Sequence, residues 1–429
     1  MTPRRVLLTG MFDMQNYGDL LFPLVARHRL AAAGYETVAV APTGQPTGLP
    51  DAMPAIGLSA LMTDDDPIAG IVVGGGYIIH AHSMDFLEDY QTGGTGAWCG
   101  AGLWLGATVA AALRDVPILW NAPGVPHPFS TRQRPLVHAA LRAATYAAVR
   151  DRGSATLLAA PRGAMPAVVP DTIADIARVW PKPTLTESFR RLLVRKGLPT
   201  DTRLLAIHVR NRSMAGLDAA SLGAQLGRFA QAHGVVPMLV AVGRSHDDPG
   251  VARMLAPHVG RPLLLLDDPL ELKEITAALA HAVAYVGASL HGYIVSAAYD
   301  VPGVLLGRPA YRKFAGFLEH TGRMQDLARD WKEALTIGAI RLVEPPSSRI
   351  PATVRQAIDE HWSAIVRGLR GPDDMRDART RFLHALLRLG LASDGAGWPL
   401  MPFLGRMTRA SEHLVHRRAP MMEGTASDG

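Results

Sequence analysis

The run Val286-Gly287-Ala288-Ser289-Leu290-His291-Gly292 joins an apolar stretch to a helix-like one through small residues. A strand that turns so tightly into a helix aims free backbone N–H groups, those of Leu290 and Gly292 among them, and the imidazole of His291 at one spot, which suits an anion. Taken alone, the segment reads better as a Ser289 N-cap with His291 packed behind it, so the anion site needs support from elsewhere. Asn16-Tyr17-Gly18-Asp19 follows the first apolar run and opens a helix. There the Asn16 side chain could hold a polar ligand, and Asp19 could be a general base or only a cap. Gly74-Gly75-Gly76 ends another apolar run, and Gly75 and Gly76 allow a backbone to approach a phosphate or sugar. No Gly-Lys-Ser/Thr follows, so this is not a P-loop. His208 and Arg210 share one face of a strand end, and with Arg212 they bring cations that grip carboxylate or phosphate. Arg150-Asp151 reads as an ion pair beneath the site and Asp171 as a residue lining it.

The elements that must position these residues alternate. Strands are expected at 6–9, 37–41, 68–73, 116–120, 146–149 and 168–169, with helices at 19–33, 101–113 and 132–144 between them. Trp180-Pro181-Lys182-Pro183 reads as a linker, since two prolines resist both helix and central strand. The pattern then restarts, with strands at 204–209, 236–242, 263–266, 283–286 and 304–306 and helices at 219–233, 270–281 and after His291. The fold class is therefore α/β, two Rossmann-like doubly wound domains, 1–180 and 184–345, facing each other across a cleft. Helices are expected within 346–394, at 352–369 and 378–391, the second amphipathic, and 395–429 reads as a flexible tail. Helix packing on the core or dimerisation is the first expectation for the basic amphipathic end, and peripheral contact with an anionic membrane the second.

Composition narrows the class. The 429 residues are 48% hydrophobic with 42 glycines, as in packed α/β proteins, and the net charge of +6 favours anionic substrates or surfaces. Nothing resembles an aromatic-interleaved basic motif for nucleic acid. Cys99 stands alone, and His80, His82, His127 and His138 show no metal-ligand spacing. The segments 93–113 and 275–299 lack charge and mimic membrane spans; Gly and His interrupt them, so they read as a glycine turn with a buried helix, and as helix–strand–turn–helix. The start, Met1–Thr9, reads as a strand rather than a signal peptide, and the expected location is the cytoplasm or the inner face of its membrane.

Taken in order, Gly10 with Asn16-Tyr17-Gly18-Asp19, Gly74-Gly75-Gly76, Ala148-Val149-Arg150-Asp151 with Ser154, Val169-Pro170-Asp171, and Ser289-Leu290-His291-Gly292 with Ala297 and Val301-Pro302 resemble the polysaccharide pyruvyl transferase family over roughly residues 5–310. The resemblance implies a GT-B-like fold and transfer of the pyruvyl group of phosphoenolpyruvate onto a sugar as a cyclic ketal, with no redox cofactor and with a divalent metal left open. It implies His291 as phosphate ligand and general acid, and Asp19 as the base for the sugar hydroxyl. Several members carry Arg two residues before the helix-opening histidine, where this chain has Ser289; Arg210 and Arg212 are the candidate replacements. A saccharide or lipid-linked saccharide acceptor would enter past the loop at 77–98, where Trp98, Trp104 and Trp120 could stack on sugar rings, core packing being expected for at least two. Two other readings fit the same scaffold: a nucleotide-sugar glycosyltransferase, with Glu271 or Glu274 near a ribose, and a non-catalytic glycan-binding protein.

Overall fold

A computed structural model describes residues 4–91, 94–214, 216–244, 247–371 and 374–395; the expected flexible tail lies, but for Gly395, outside the described residues. The first domain is a parallel five-stranded sheet in the order β3-β2-β1-β4-β5. Its strands are β1 (Arg4–Thr9), β2 (Tyr35–Ala41), β3 (Ala55–Gly57), β4 (Ile68–Val73) and β5 (Ile118–Trp120). A parallel pair, β6 (Ala148–Val149) and β7 (Ala167–Val168), continues it beyond β5 through a bridge from Leu119 to Tyr146. Val6, Leu7 and Leu8 are all fully buried, because helices cover both faces of a parallel sheet and continuous apolar runs replace alternation.

The second domain repeats the plan with six parallel strands in the order β10-β9-β8-β11-β12-β13. These are β8 (Leu204–His208), β9 (Val236–Val240), β10 (Leu264–Leu266), β11 (Ala284–Gly287), β12 (Gly303–Leu306) and β13 (Leu327–Ala328). Each sheet reverses its winding beside its first strand, between β1 and β4 and between β8 and β11. Loops leaving those strand ends diverge and open a crevice, the usual ligand position in such sheets.

The expected linker is where expectation and structure part. Pro183 lies in the first turn of a helix, Lys182–Arg195, that buries Leu185, Phe189, Leu192 and Leu193. A proline there loses no intrahelical bond, so it starts the helix instead of blocking it. The helices Asp248–Val259, Arg312–Thr321 and Trp331–Val343 and the edge strands β3 and β13 also lie outside the sequence expectations.

The C-terminal helices return to the first domain. Ala352–Arg370 buries Ile358, Trp362, Ile365 and Leu369, and its His361 bonds Asn121 at 2.9 Å and Tyr146 at 3.0 Å. Arg376–Asp394 packs on the helices Arg134–Ala143 and Ala107–Arg114, with Phe382 fully buried and Leu383, Leu386 and Leu389 partly so. The apolar face of this helix is thus spent on the core. The helical stretch Gly96–Arg114 is long and apolar enough to cross a membrane, but Leu103, Trp104, Ala107, Ala110 and Ala111 bury it in the first domain's core. The other charge-free segment resolves into the helix Leu272–His281, β11 and the helix Leu290–Ala298.

Candidate active site

Loops from both reversal points meet at the domain seam. After β1 the chain turns into the helix Tyr17–Ala31, whose first turn docks on the second domain: Tyr17 N–H donates to the Val242 carbonyl at 2.8 Å, and the Tyr17 hydroxyl pairs with Thr276 at 2.7 Å. Asn16 forms a backbone bridge with Gly243, and its Nδ2 donates to Asp19 Oδ2 at 2.7 Å. Asp19 therefore does not cap the helix; its carboxylate is held at the seam. Gly76, at φ +88°, closes the loop after β4 so tightly that a Cβ there would lie 2.8 Å from Asp19 Oδ1. Gly75 makes room for the Phe22 ring, which would stand 2.0 Å from a Cβ, so its smallness serves packing behind the site.

From the second domain, β11 runs through Ser289 into Leu290–Ala298. Ser289 caps this helix, its side chain accepting from Gly292 N–H at 3.2 Å, as the plainer reading of the sequence expected. The amides of Leu290 and His291 remain without intrahelical partners. His291 is pressed against the first domain. A Cβ on Gly18 would fall 1.6 Å from its Nδ1, and Phe22 meets the ring edge-on at 5.7 Å between centroids. Its Nε2 stands 3.6 Å from Asp171 Oδ2, within ion-pair reach when the ring is protonated but beyond hydrogen-bond length. A buried ring nitrogen left without a hydrogen bond in a cleft is open to a substrate atom.

Asp171 and Arg150 complete the first-domain wall. Asp171 accepts from Ile173 N–H at 3.1 Å, and Arg150 Nη1 lies 3.4 Å from its carboxylate. Arg150 also stacks over Tyr77 at 4.1 Å, while its buried Nε and Nη2 have no hydrogen-bond partner. Burial alone would raise the Asp171 carboxyl; the His291 imidazole and the Arg150 guanidinium outweigh it and hold Asp171 below the ordinary range. At Asp19 burial wins and its carboxyl is raised, although His291, Lys313 and Arg150 pull it down. Two carboxyl groups pushed apart in this way suit different roles: Asp171 remains an ionised partner, and Asp19 can exchange a proton.

The other expected residues spread out. His208 is fully buried and pairs with Asp248 at 3.0 Å, so it braces the wall instead of facing a ligand. Arg210, partly exposed, reaches toward the same Asp248 at 3.7 Å. Arg212 is exposed in the short turn Asn211–Ser213. Glu271 and Glu274, considered for a ribose, are engaged with Arg191 at 3.8 Å and Arg195 at 2.8 Å beside a separate hollow of about 700 Å³. Trp104 and Trp120 are fully buried, leaving Trp98 exposed. His80 and His82 gather with the distant His127, with ring centroids 6.1 Å and 4.6 Å apart along the row, yet among the described residues no group of three or more His, Cys, Asp and Glu could hold a metal ion. The sequence reading missed Lys313, which joins the cleft from the unforeseen helix Arg312–Thr321. A hint was available: Lys313 is one of only five lysines and stands beside Tyr311 and Arg312.

The family model for polysaccharide pyruvyl transferases matches residues 16–309. The chain belongs to the polysaccharide pyruvyl transferase family. The family match begins at Asn16 and takes in every site residue named above except Lys313. No curated protein matches in sequence. Among solved structures, a UDP-GlcNAc 2-epimerase from Neisseria meningitidis superposes with a TM-score of 0.51 at 10% identity, covering 90% of this chain and 100% of that one. The UDP-GlcNAc 2-epimerase from Methanocaldococcus jannaschii gives 0.51 at 11% identity, over 85% and 98%. These likenesses show the fold, and the chain accordingly has the two-domain GT-B architecture.

Proposed function

We propose that the protein moves the pyruvyl group of phosphoenolpyruvate onto two hydroxyls of a cell-envelope or exopolysaccharide sugar, forming a cyclic ketal. The observation that carries this reading is the meeting of His291 with Asp19 and Asp171 across the seam, at a helix N-terminus with unpaired amides. Family membership supports a pyruvyl donor and a saccharide acceptor.

The donor's phosphate and carboxylate settle against the Leu290 and His291 amides, with Arg150 and Arg210 nearby. His291 gives a proton to the methylene carbon, which becomes a methyl group and leaves C2 electron-poor. A sugar hydroxyl adds to C2, and Asp19, with its raised carboxyl pKa, takes the hydroxyl proton. The C2–O bond to phosphate then breaks with its electron pair leaving on phosphate, which takes up the proton that Asp19 had accepted. The second hydroxyl adds to C2 and its proton resets the acid, so phosphoenolpyruvate and a diol yield a ketal and one hydrogen phosphate. Asp171 keeps the imidazole oriented without touching substrate.

The acceptor enters from the first domain, past the exposed side chains of Phe86 and Trp98, flat surfaces on which sugar rings stack. A saccharide or lipid-linked saccharide is proposed as acceptor, and the cytoplasm or the inner membrane face as the location. The test is incubation with phosphoenolpyruvate and an envelope saccharide fraction. Acceptor-dependent phosphate release and a ketal adduct by mass are expected. Nucleotide sugars raising the melting temperature while phosphoenolpyruvate does nothing would replace this reading with glycosyl transfer.

A further inference from the structure

Lys313 takes no part in the steps above, and its surroundings are unlike those of a structural salt bridge. It lies in the first turn of the helix Arg312–Thr321, which the second domain lays across the first. Arg312 donates to the Pro126 carbonyl at 2.6 Å, and His320 Nε2 lies 3.1 Å from the Arg150 carbonyl. The ammonium of Lys313 sits 5.1 Å from the ring centre of Tyr77, 5.3 Å from Tyr311 and 5.8 Å from Phe314. Such an aromatic box stabilises a cation but offers no hydrogen-bond acceptor as strong as a carboxylate.

Charged groups face it from each wall: Asp19 of the first helix, Arg150 after β6, Asp171 after β7 and Arg210 after β8. Asp151 packs under the same helix at Gly316, and Arg312 and Glu319 flank Lys313 along it. Burial first, then repulsion from Arg150 and Arg210, lowers its pKa to about 7 against the pull of Asp19 and Asp171. Beside it, the buried Nη2 of Arg150 makes no hydrogen bond, and its Nε comes only within 3.8 Å of Asp151. Three cations crowded into one cleft, with donors of Arg150 and Arg210 left without a hydrogen bond, are held at a cost that an entering dianion would remove.

We infer that Lys313 is an anion-binding residue of this cleft, gripping the donor's phosphate together with Arg150, and that it takes up a proton as the dianion enters. The name of the ligand rests on the phosphoenolpyruvate reading; the anion site itself does not. Calorimetric titration at about pH 8.5, where phosphate groups are essentially dianionic, in two buffers of different ionisation enthalpy would test it, with phosphoenolpyruvate and inorganic phosphate as separate ligands. Wild-type protein should take up close to one proton per bound ligand. Lys313→Met should bind at least about 10-fold more weakly without proton uptake. Lys313→Arg should keep most of the affinity and lose the uptake, since a guanidinium is charged throughout. Melting curves without ligand confirm that the variants fold. The inference is overturned if Lys313→Met binds phosphate and phosphoenolpyruvate within twofold of wild type, if wild type takes up no proton, or if wild type binds neither ligand. Phosphate binding that depends on Lys313, with no binding of phosphoenolpyruvate, would sink the donor reading and leave this one standing. Tight phosphoenolpyruvate binding indifferent to Lys313 would do the reverse.

Discussion

Both sheets reverse beside their first strand, between β1 and β4 in one domain and between β8 and β11 in the other, yet the walls that the two domains set around those points carry opposite charge. The first domain contributes Asp19 and Asp171, and its one cation, Arg150, is already leaning on Asp171 and Asp151. The second contributes His291, Arg210 and Lys313, grouped around the first domain's carboxylates. A shared strand order therefore sets where a crevice forms, while the loop residues set what it attracts. The site is a property of the pair: the anion-seeking wall is seated by the acidic one, with Gly18 pressed on His291.

The sharpest way to break that pairing is to delete the imidazole. His291→Ala should lower turnover by about 10³-fold or more, as expected for loss of a general acid that also binds donor. It should cost only about 1–2 kcal/mol of stability, since the ring packs edge-on against a single aromatic neighbour. Activity assays alongside thermal melts check this; a variant that fails to fold would make His291 a core residue.

Asp19→Asn tests the acidic wall and should lower turnover by about 10²-fold. Its stability effect has the opposite sign. Burial raises the Asp19 carboxyl, so its favourable contribution is complete below the ordinary carboxyl range and is lost as pH rises through the folded value. At pH 7 the ionised group is a burden, and Asn removes it. The variant should melt above wild type at about pH 7 and converge with it near pH 4. A lower melting temperature at neutral pH would mean that the cations around Asp19 outweigh its burial.

Gly18→Ala moves a residue that touches no substrate. Gly18 is helical, so alanine costs its backbone nothing and should help by up to ~1 kcal/mol, but the new methyl would stand 1.6 Å from His291 Nδ1. The imidazole must shift, and a misplacement on the order of 1 Å costs about 10²-fold in rate. Turnover should therefore fall, and because the methyl would also stand 2.3 Å from Cγ, the root of the ring and not its free end, the melting temperature should fall with it by an overpacking cost of about 1–3 kcal/mol. Unchanged turnover would show that the two walls need not fit so closely.

Two histidines show how far the sequence could go. His208 ends β8 and His291 follows β11, two strands that pair with His208 opposite Gly287. His208 is the last residue inside its strand and is buried on Asp248; His291 is past the turn, in the seam. A shift of a few residues across a strand end decides between brace and site, and neither periodicity nor residue type encodes it. The alternating domains and the cluster of Asn16, Asp19 and His291 were legible because apolar runs and glycine turns are local signals. Lys313 was not, because its helix is anchored by contacts to Pro126 and Arg150 from the other domain, and long-range packing leaves little local trace. The prolines at 181 and 183 misled for a related reason: their effect depends on position in the turn, not on their number.

Arg210 and Arg212 refine the comparison at its smallest scale. Both were candidates for the donor's anionic groups, two residues apart on one loop. Arg210 is partly buried, within 3.7 Å of Asp248 and close enough to Lys313 to depress it; Arg212 is exposed on the turn that follows. Arg210→Ala should weaken phosphoenolpyruvate binding about 10-fold, the loss of one charge-assisted contact. Arg212→Ala should change it by less than about twofold, because an exposed charge is screened by water and salt. Calorimetric titrations of the two variants at equal ionic strength decide the matter. An equal loss for both would mean that the basic wall reaches the donor through its net field, and that the placement of single cations, on which the contrast between the two domains rests, is not what captures the ligand.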